Sequence, residues 1–188
     1  MRKIVSKHKS NRKNKRNQLI SGLILIFIMF FGIFGYSLGR GSGEKVEKIE
    51  YNGFEFIKQN NFWLLNIESF NFAFKYNPYE VEEIDSEVNY FDSYLGQPLY
   101  IYSENAEADL EIYKNLNQVV LRMQYACLLY EKCEGDLPLK TCKDNFIIIK
   151  NSDENSIVQK DNCVYIYGNE ENLTKVTDEF LFKIIGIR

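Results

Sequence analysis

Residues 19–38, LISGLILIFIMFFGIFGYSL, run for 20 positions without a charged side chain. No other stretch restricts so strongly what this chain can become. A helix rises about 1.5 Å per residue, so the run reaches about 30 Å, the depth of a bilayer's hydrocarbon core. In lipid a backbone must satisfy its own hydrogen bonds, and a helix does so within the segment. The run is therefore expected to be a transmembrane anchor. Met1 to Gly39 holds eight basic residues (Arg2, Lys3, Lys7, Lys9, Arg12, Lys13, Lys15, Arg16) and no Asp or Glu. Such a cluster stays on the cytoplasmic side. Residues 1–18 then form a basic cytoplasmic tail, and everything beyond the span lies outside the cell membrane. Charge divides the same way: +8 over the first 39 residues, against 15 Lys/Arg and 26 Asp/Glu, net −11, over residues 40–188.

A cleaved signal peptide is the rival reading. Signal cores run about 7–15 residues and end in a small-x-small site, which Ser37-Leu38-Gly39 supplies. The longer apolar run favours retention as a signal-anchor, and both readings export the domain. Gly35-x-x-x-Gly39 has helix-dimer spacing, but Gly39 falls at the membrane edge. The basic tail reads as a topology signal beside lipid, so no nucleic acid is expected as a partner. Gly39-Arg-Gly-Ser-Gly lacks the preceding buried strand that a dinucleotide loop needs. Residues 39–45 are a linker to a single extracytoplasmic domain at 46–188.

That domain opens on an aromatic block. Tyr51, Phe54 and Phe56 lead to Phe62, Trp63, Leu64, Leu65 and Ile67; Phe70, Phe72, Phe74 and Tyr76 then alternate with polar or small residues. Period-two alternation marks half-buried strands, and a three-stranded antiparallel meander is expected over residues 46–76. Asn77-Pro78 reads as the cap and first position of a short helix reaching Ile84. Its acidic patch, Glu80, Glu82, Glu83, Asp85 and Glu87, fits no metal motif and reads as a solvated face. Leu99 to Tyr102 is a strand. Asn105 caps a long helix expected to reach Tyr130, with Leu110, Tyr113, Leu116, Val120, Met123, Cys127 and Tyr130 on its apolar face. Strands follow at Phe146–Ile149, Ile157–Val158 and Cys163–Tyr167. A last helix capped by Asn169 carries Leu173, Val176, Phe180 and Ile184. The expected fold class is α+β: a transmembrane helix, then a β-meander joined to a strand–long helix–strands–helix layer.

Cys127, Cys133, Cys142 and Cys163 all lie in the exported part. An even number there reads as a disulfide framework with three connectivities. Cys133–Cys142 and Cys127–Cys163 are the favoured pairs. No C-x-x-C and no histidine support a zinc site. The only histidine, His8, is in the tail. Catalysis by Ser-His-Asp, Cys-His or H-E-x-x-H is closed to the domain, and neither G-x-S-x-G nor a P-loop is present. No catalytic residue, metal or cofactor is assigned. Asn172-Leu173-Thr174 is a glycosylation acceptor triplet, with Asn172 as the acceptor.

The succession YNGFEF (51–56), FKYNPYEVEEID (74–85), DLPLKTCKDNFIII (136–149), NCVYIYGN (162–169) and FLFKIIGI (180–187) resembles a group of short, uncharacterised single-pass membrane proteins of small-genome (DPANN-type) archaea. The resemblance spans nearly the whole chain and implies an anchored, disulfide-bearing surface domain without a family activity. The expected function is a non-enzymatic, membrane-anchored interaction domain, binding another envelope protein in a surface or secretion assembly. Its 12 tyrosines outside the span suit such a role. The alternative is a carbohydrate-binding or carboxylate-based glycan-active envelope protein.

Overall fold

The computed structural model describes residues 47–129, 131, 133 and 135–188, with isolated positions 22, 25 and 29. The chain divides into two compact units, Met1–Lys45 and Val46–Arg188. The basic tail, the linker and most of the apolar run lie outside the described residues. Among the described residues no helix is long and apolar enough to cross a membrane.

The second unit is α+β, built from an antiparallel meander, a mixed sheet and two helices. The meander has four strands, not three: β1 (Lys48–Tyr51), β2 (Phe54–Gln59), β3 (Phe62–Ile67) and β4 (Phe70–Phe74), paired in sequence order. The extra strand comes from Asn52-Gly53. Both residues hold positive φ, 48° and 83°, which is the demand of a two-residue hairpin turn whose twist matches its strands. Asn60 and Asn61, at 50° and 66°, make the next turn. Phe56, Trp63, Leu65, Phe72 and Phe74 form the buried side of this sheet.

The mixed sheet has the order β10-β11-β9-β5-β6, from β5 (Pro98–Ser103), β6 (Arg122–Tyr125), β9 (Asn145–Asn151), β10 (Ser156–Lys160) and β11 (Cys163–Gly168). All neighbours are parallel except the β10–β11 hairpin. A parallel central strand is covered on both faces, and in β9 the run Phe146 to Ile149 is buried without alternation. Helices α1 (Ala106–Leu116) and α2 (Leu173–Ile184) cover one face. The segment from Ala126 to Cys142, with the short ladder β7 (Cys127–Leu128) and β8 (Leu139–Lys140), covers part of the other. The main core joins both sheets and both helices, and Phe182 of α2 packs on Phe56 and Phe74 at ring separations of 6.0 and 4.7 Å.

The other differences from the sequence reading have local causes. After Asn77 there is a turn but no helix. Asn77 Oδ1 accepts from Tyr79 N at 2.8 Å, and Glu80 N donates to Asn77 O at 2.9 Å. Further on, Ile84 N donates to Glu179 and Val81 O accepts from Arg188. Long-range side chains take the backbone groups that a helical ladder would need. Helix α1 is capped as expected, with Asn105 Oδ1 accepting from Glu107 N and Ala108 N, yet it stops at Leu116. The β-branched pair Val119-Val120 turns into the core, and residues 122–125 pair with β5 instead. The spacing of Met123 and Cys127 fitted a helix only by coincidence with strand alternation. Helix α2 starts four residues after Asn169, with Asn172 as its N-cap; the backbone and side-chain oxygens of Asn169 accept from Leu173 N and Asn172 N. The disulfides are Cys127–Cys133 and Cys142–Cys163, not the favoured pairs. Cys127 lies on β7 rather than on a helix, and Asn162 N donates to Cys142 O, which brings Cys142 beside Cys163.

Candidate functional site

The acidic patch does not act as a unit. Glu80 accepts from Trp63 Nε1 at 3.1 Å and from Asn77 N at 2.9 Å, so it closes its own turn. Glu82, Glu83, Asp85 and Glu87 point to solvent. Among the described residues no group of three or more His, Cys, Asp or Glu is placed to hold a metal. Glu80 and Glu82 instead line a cleft of about 180 Å³ with Ile84, Asn155, Asn172 and Lys175. Asn172, the glycosylation candidate, sits there at the N-cap of α2, and Thr174 of its triplet is buried in the first helical turn.

A second group was not foreseen. In α1 the buried side is Ala108, Glu111, Ile112, Asn115 and Leu116. Asn115 and Gln118 act as a surrogate strand along the edge of β4. Asn115 Oδ1 accepts from Ala73 N at 2.8 Å and its Nδ2 donates to Ala73 O at 3.0 Å; Gln118 makes the same pair with Asn71 at 3.2 and 2.6 Å. Unpaired strand groups are thereby satisfied by two amides. Beside them, Asp178 of α2 meets Glu111. Asp178 Oδ2 accepts from Tyr76 N at 2.9 Å, and Glu111 Oε1 accepts from Lys114 Nζ at 2.7 Å. Asp178 Oδ1 and Glu111 Oε2 are buried without a hydrogen-bond partner. Burial, and next the charge of Glu111, hold the Asp178 carboxyl well above the ordinary carboxylate range.

This pair has a stability consequence. Asp178 keeps its proton in the fold at pH values where the unfolded chain has released it. Between those two values the native state binds more protons, so stability falls as pH rises. We expect Asp178→Asn to keep the hydrogen bond from Tyr76 N through its amide oxygen and to flatten the loss of stability as pH rises above the ordinary carboxylate range, read by urea unfolding followed through Trp63, the only tryptophan. An unchanged slope in the variant would assign the pH dependence to other groups.

With Glu111 and Asn115 turned inward, two of the apolar residues of α1 lie outside. Leu110 and Tyr113, expected in the core, are 52% and 50% exposed. Leu121, just before β6, and Tyr125 are 70% and 53% exposed. Tyr125 is on β6, the last strand of the mixed sheet. Its hydroxyl donates to Asp109 Oδ2 of α1, which holds the ring along the helix. That bond, together with burial, pushes the Tyr125 hydroxyl up to about 12, and burial raises Asp109 as well. Met123 of the same strand packs on the core. The result is an apolar and aromatic band along a free sheet edge. No described hydrogen bond reaches the outer side of β6.

The face of the mixed sheet opposite the helices carries a second aromatic feature. Tyr165 and Tyr167 alternate on β11 with buried Val164 and Ile166, and their rings lie 6.2 Å apart at 7°. Lys150 lies beside them, paired with Glu131 at 2.6 Å. Both tyrosines are half-buried.

No family model, curated protein or solved structure matches the chain.

Proposed function

We propose that this protein is a membrane-anchored, extracytoplasmic interaction domain, a non-enzymatic member of a cell-envelope or surface assembly, with the β6 edge as its docking surface. The anchor rests on the uncharged run at 19–38 and the basic tail before it. Two disulfides fit an oxidising, extracytoplasmic setting. The observation that carries the reading is the set of exposed apolar and aromatic side chains, Leu110 and Tyr113 of α1 and Leu121 and Tyr125 at β6, around the unpaired outer edge of the mixed sheet. Native sheets normally protect such edges with charge, proline or a covering segment. An edge left apolar and open is suited to receiving another chain.

A photo-crosslinking side chain placed at Tyr113 in the full-length protein, activated in its native membrane, tests the proposal. Protein adducts are expected at Tyr113 and not at Val158 on the opposite edge strand. Equal labelling at both positions, or none at Tyr113, sinks it.

A glycan-binding reading keeps one observation in its favour, the near-parallel rings of Tyr165 and Tyr167 beside Lys150. Aromatic faces stack on apolar ring surfaces. The convergent carboxyls Glu111 and Asp178 do not add to it, because they are 3% and 0% exposed. A glycan screen in which a bound sugar is lost on Tyr167→Ala would favour this reading over the first.

A further inference from the structure

We infer that the occupant of the β6 edge is a second copy of this chain, paired antiparallel about a two-fold axis so that two five-stranded sheets join. The inference rests on the reading of that edge as a docking surface and names its partner.

Three of the four outer strands of the two sheets have hydrogen bonds of their own. On β4, Asn115 and Gln118 occupy the backbone. Beside β10, Asn89 N donates to Gln159 Oε1 and Asn89 Nδ2 donates to Asp161 O. On β1, Glu50 O accepts from Tyr79 Oη at 2.8 Å. Among the described residues β6 reaches other elements only through its β5 pairing and the Arg122 and Tyr125 side chains, so its outer backbone row has no partner, and such a row calls for another strand.

Charge selects the kind of strand. Residues 40–188 carry a net −11, so two copies repel over most of their surface. Of the exposed residues of β6, Gln124 and Tyr125 are neutral and only Arg122 is charged; the nearby Asp109 of α1 has the opposite sign. Each is already engaged within its own copy, Asp109 by Tyr125 and Arg122 by Tyr100. This is where like copies meet with least repulsion.

The strand sequence is also self-complementary. An antiparallel register centred on Met123 sets Leu121 opposite Tyr125 of the second copy, on the helix side. It sets Arg122 opposite Gln124 on the other side. Every large apolar side chain of the edge then has an apolar partner, and no like charges stand opposite one another. The two-fold axis brings both α1 helices to the same side, with Leu110 and Tyr113 facing their counterparts.

The test uses the full-length protein in mild detergent, with its mass read by light scattering across a dilution series. A dimer is expected for the natural sequence. Leu121→Glu, at a position exposed in the single chain, is expected to weaken dimerisation at least tenfold. Adding Tyr125→Lys restores it, because each Lys then faces a Glu across the seam. Met123→Cys is expected to form a covalent dimer on oxidation, since directly opposed residues stand about 4.5–5.5 Å apart, within disulfide reach. A monomer in the natural sequence overturns the inference, and so does a dimer indifferent to Leu121→Glu. If the protein is monomeric while the Tyr113 crosslinker captures a different polypeptide, the inference falls and the docking-surface reading stands. If the dimer ignores Leu121→Glu and Tyr113 captures nothing, both fall.

Discussion

Arg188→Ala is expected to lower the stability of the fold by about 3–5 kcal/mol, the range for removing one partner of a buried ion pair. Arg188 is 6% exposed at its side chain and Glu179 is fully buried. The guanidinium donates to Glu179 Oε2, to the carbonyls of Pro78 and Val81, and to Tyr51 Oη at 3.1 Å. It therefore ties α2, the irregular segment after the meander and β1 to one point. Alanine leaves the Glu179 carboxylate in the core with Ile84 N at 3.4 Å and Lys183 Nζ at 4.0 Å as its remaining partners. Burial already raises the Glu179 carboxyl above its ordinary value, with Arg188 as the main opposing influence. Without Arg188 the group is expected to take up a proton, which makes the variant relatively more stable as pH falls. Urea unfolding through Trp63 gives the loss, and Glu179→Gln in the same background is expected to recover part of it. A loss under 1 kcal/mol would mean that water replaces Arg188 at this point and that the junction is not buried in solution.

How much of this was legible in the sequence depends on what each residue's role rested on. Alternation in Phe70 to Tyr76 and in Cys163 to Tyr167 comes from the pleat itself, so those strands were readable locally. The Asn52-Gly53 turn was equally local and was passed over, which cost a strand. Helix α1 shows the limit of hydrophobic periodicity. Leu110 and Tyr113 face out, while Glu111 and Asn115 face in and Gln118, just past the helix end, lies along β4, because their partners are backbone groups of β4 and a carboxyl of α2. No pattern within the helix reveals those partners. A polar stripe at spacings of four and three was nevertheless visible in Glu111, Asn115 and Gln118, and an inward polar stripe asks for an edge or a charge to satisfy. The exposed band was hidden for a related reason: Leu110 and Tyr113 read as core residues of a helix that was expected to run on through the residues of β6.

Loss of the Cys142–Cys163 bridge is expected to be the second largest effect. In the chain-entropy picture, closing a loop of this sequence separation, 21 residues, stabilises the fold by about 3 kcal/mol. Cys127–Cys133, with a separation of 6, closes a much shorter loop and is expected to contribute less on the same account. Packing widens the difference. Cys163 is fully buried at the start of β11 with Tyr100, Phe146 and Ile148, whereas Cys127–Cys133 lies in the covering segment. The double variant Cys142→Ala with Cys163→Ala should therefore melt well below the variant lacking Cys127 and Cys133. Trypsin provides the companion measurement, because cleavage after Arg122, Lys132, Lys140, Lys143, Lys160 and Lys175 leaves each cysteine on its own peptide. Under non-reducing conditions residues 123–132 should appear joined to 133–140, and 141–143 joined to 161–175. Peptides 133–140 and 141–143 joined to each other would restore the Cys133–Cys142 pairing favoured from the sequence, and would require Cys163 to leave the core it occupies beside Phe146.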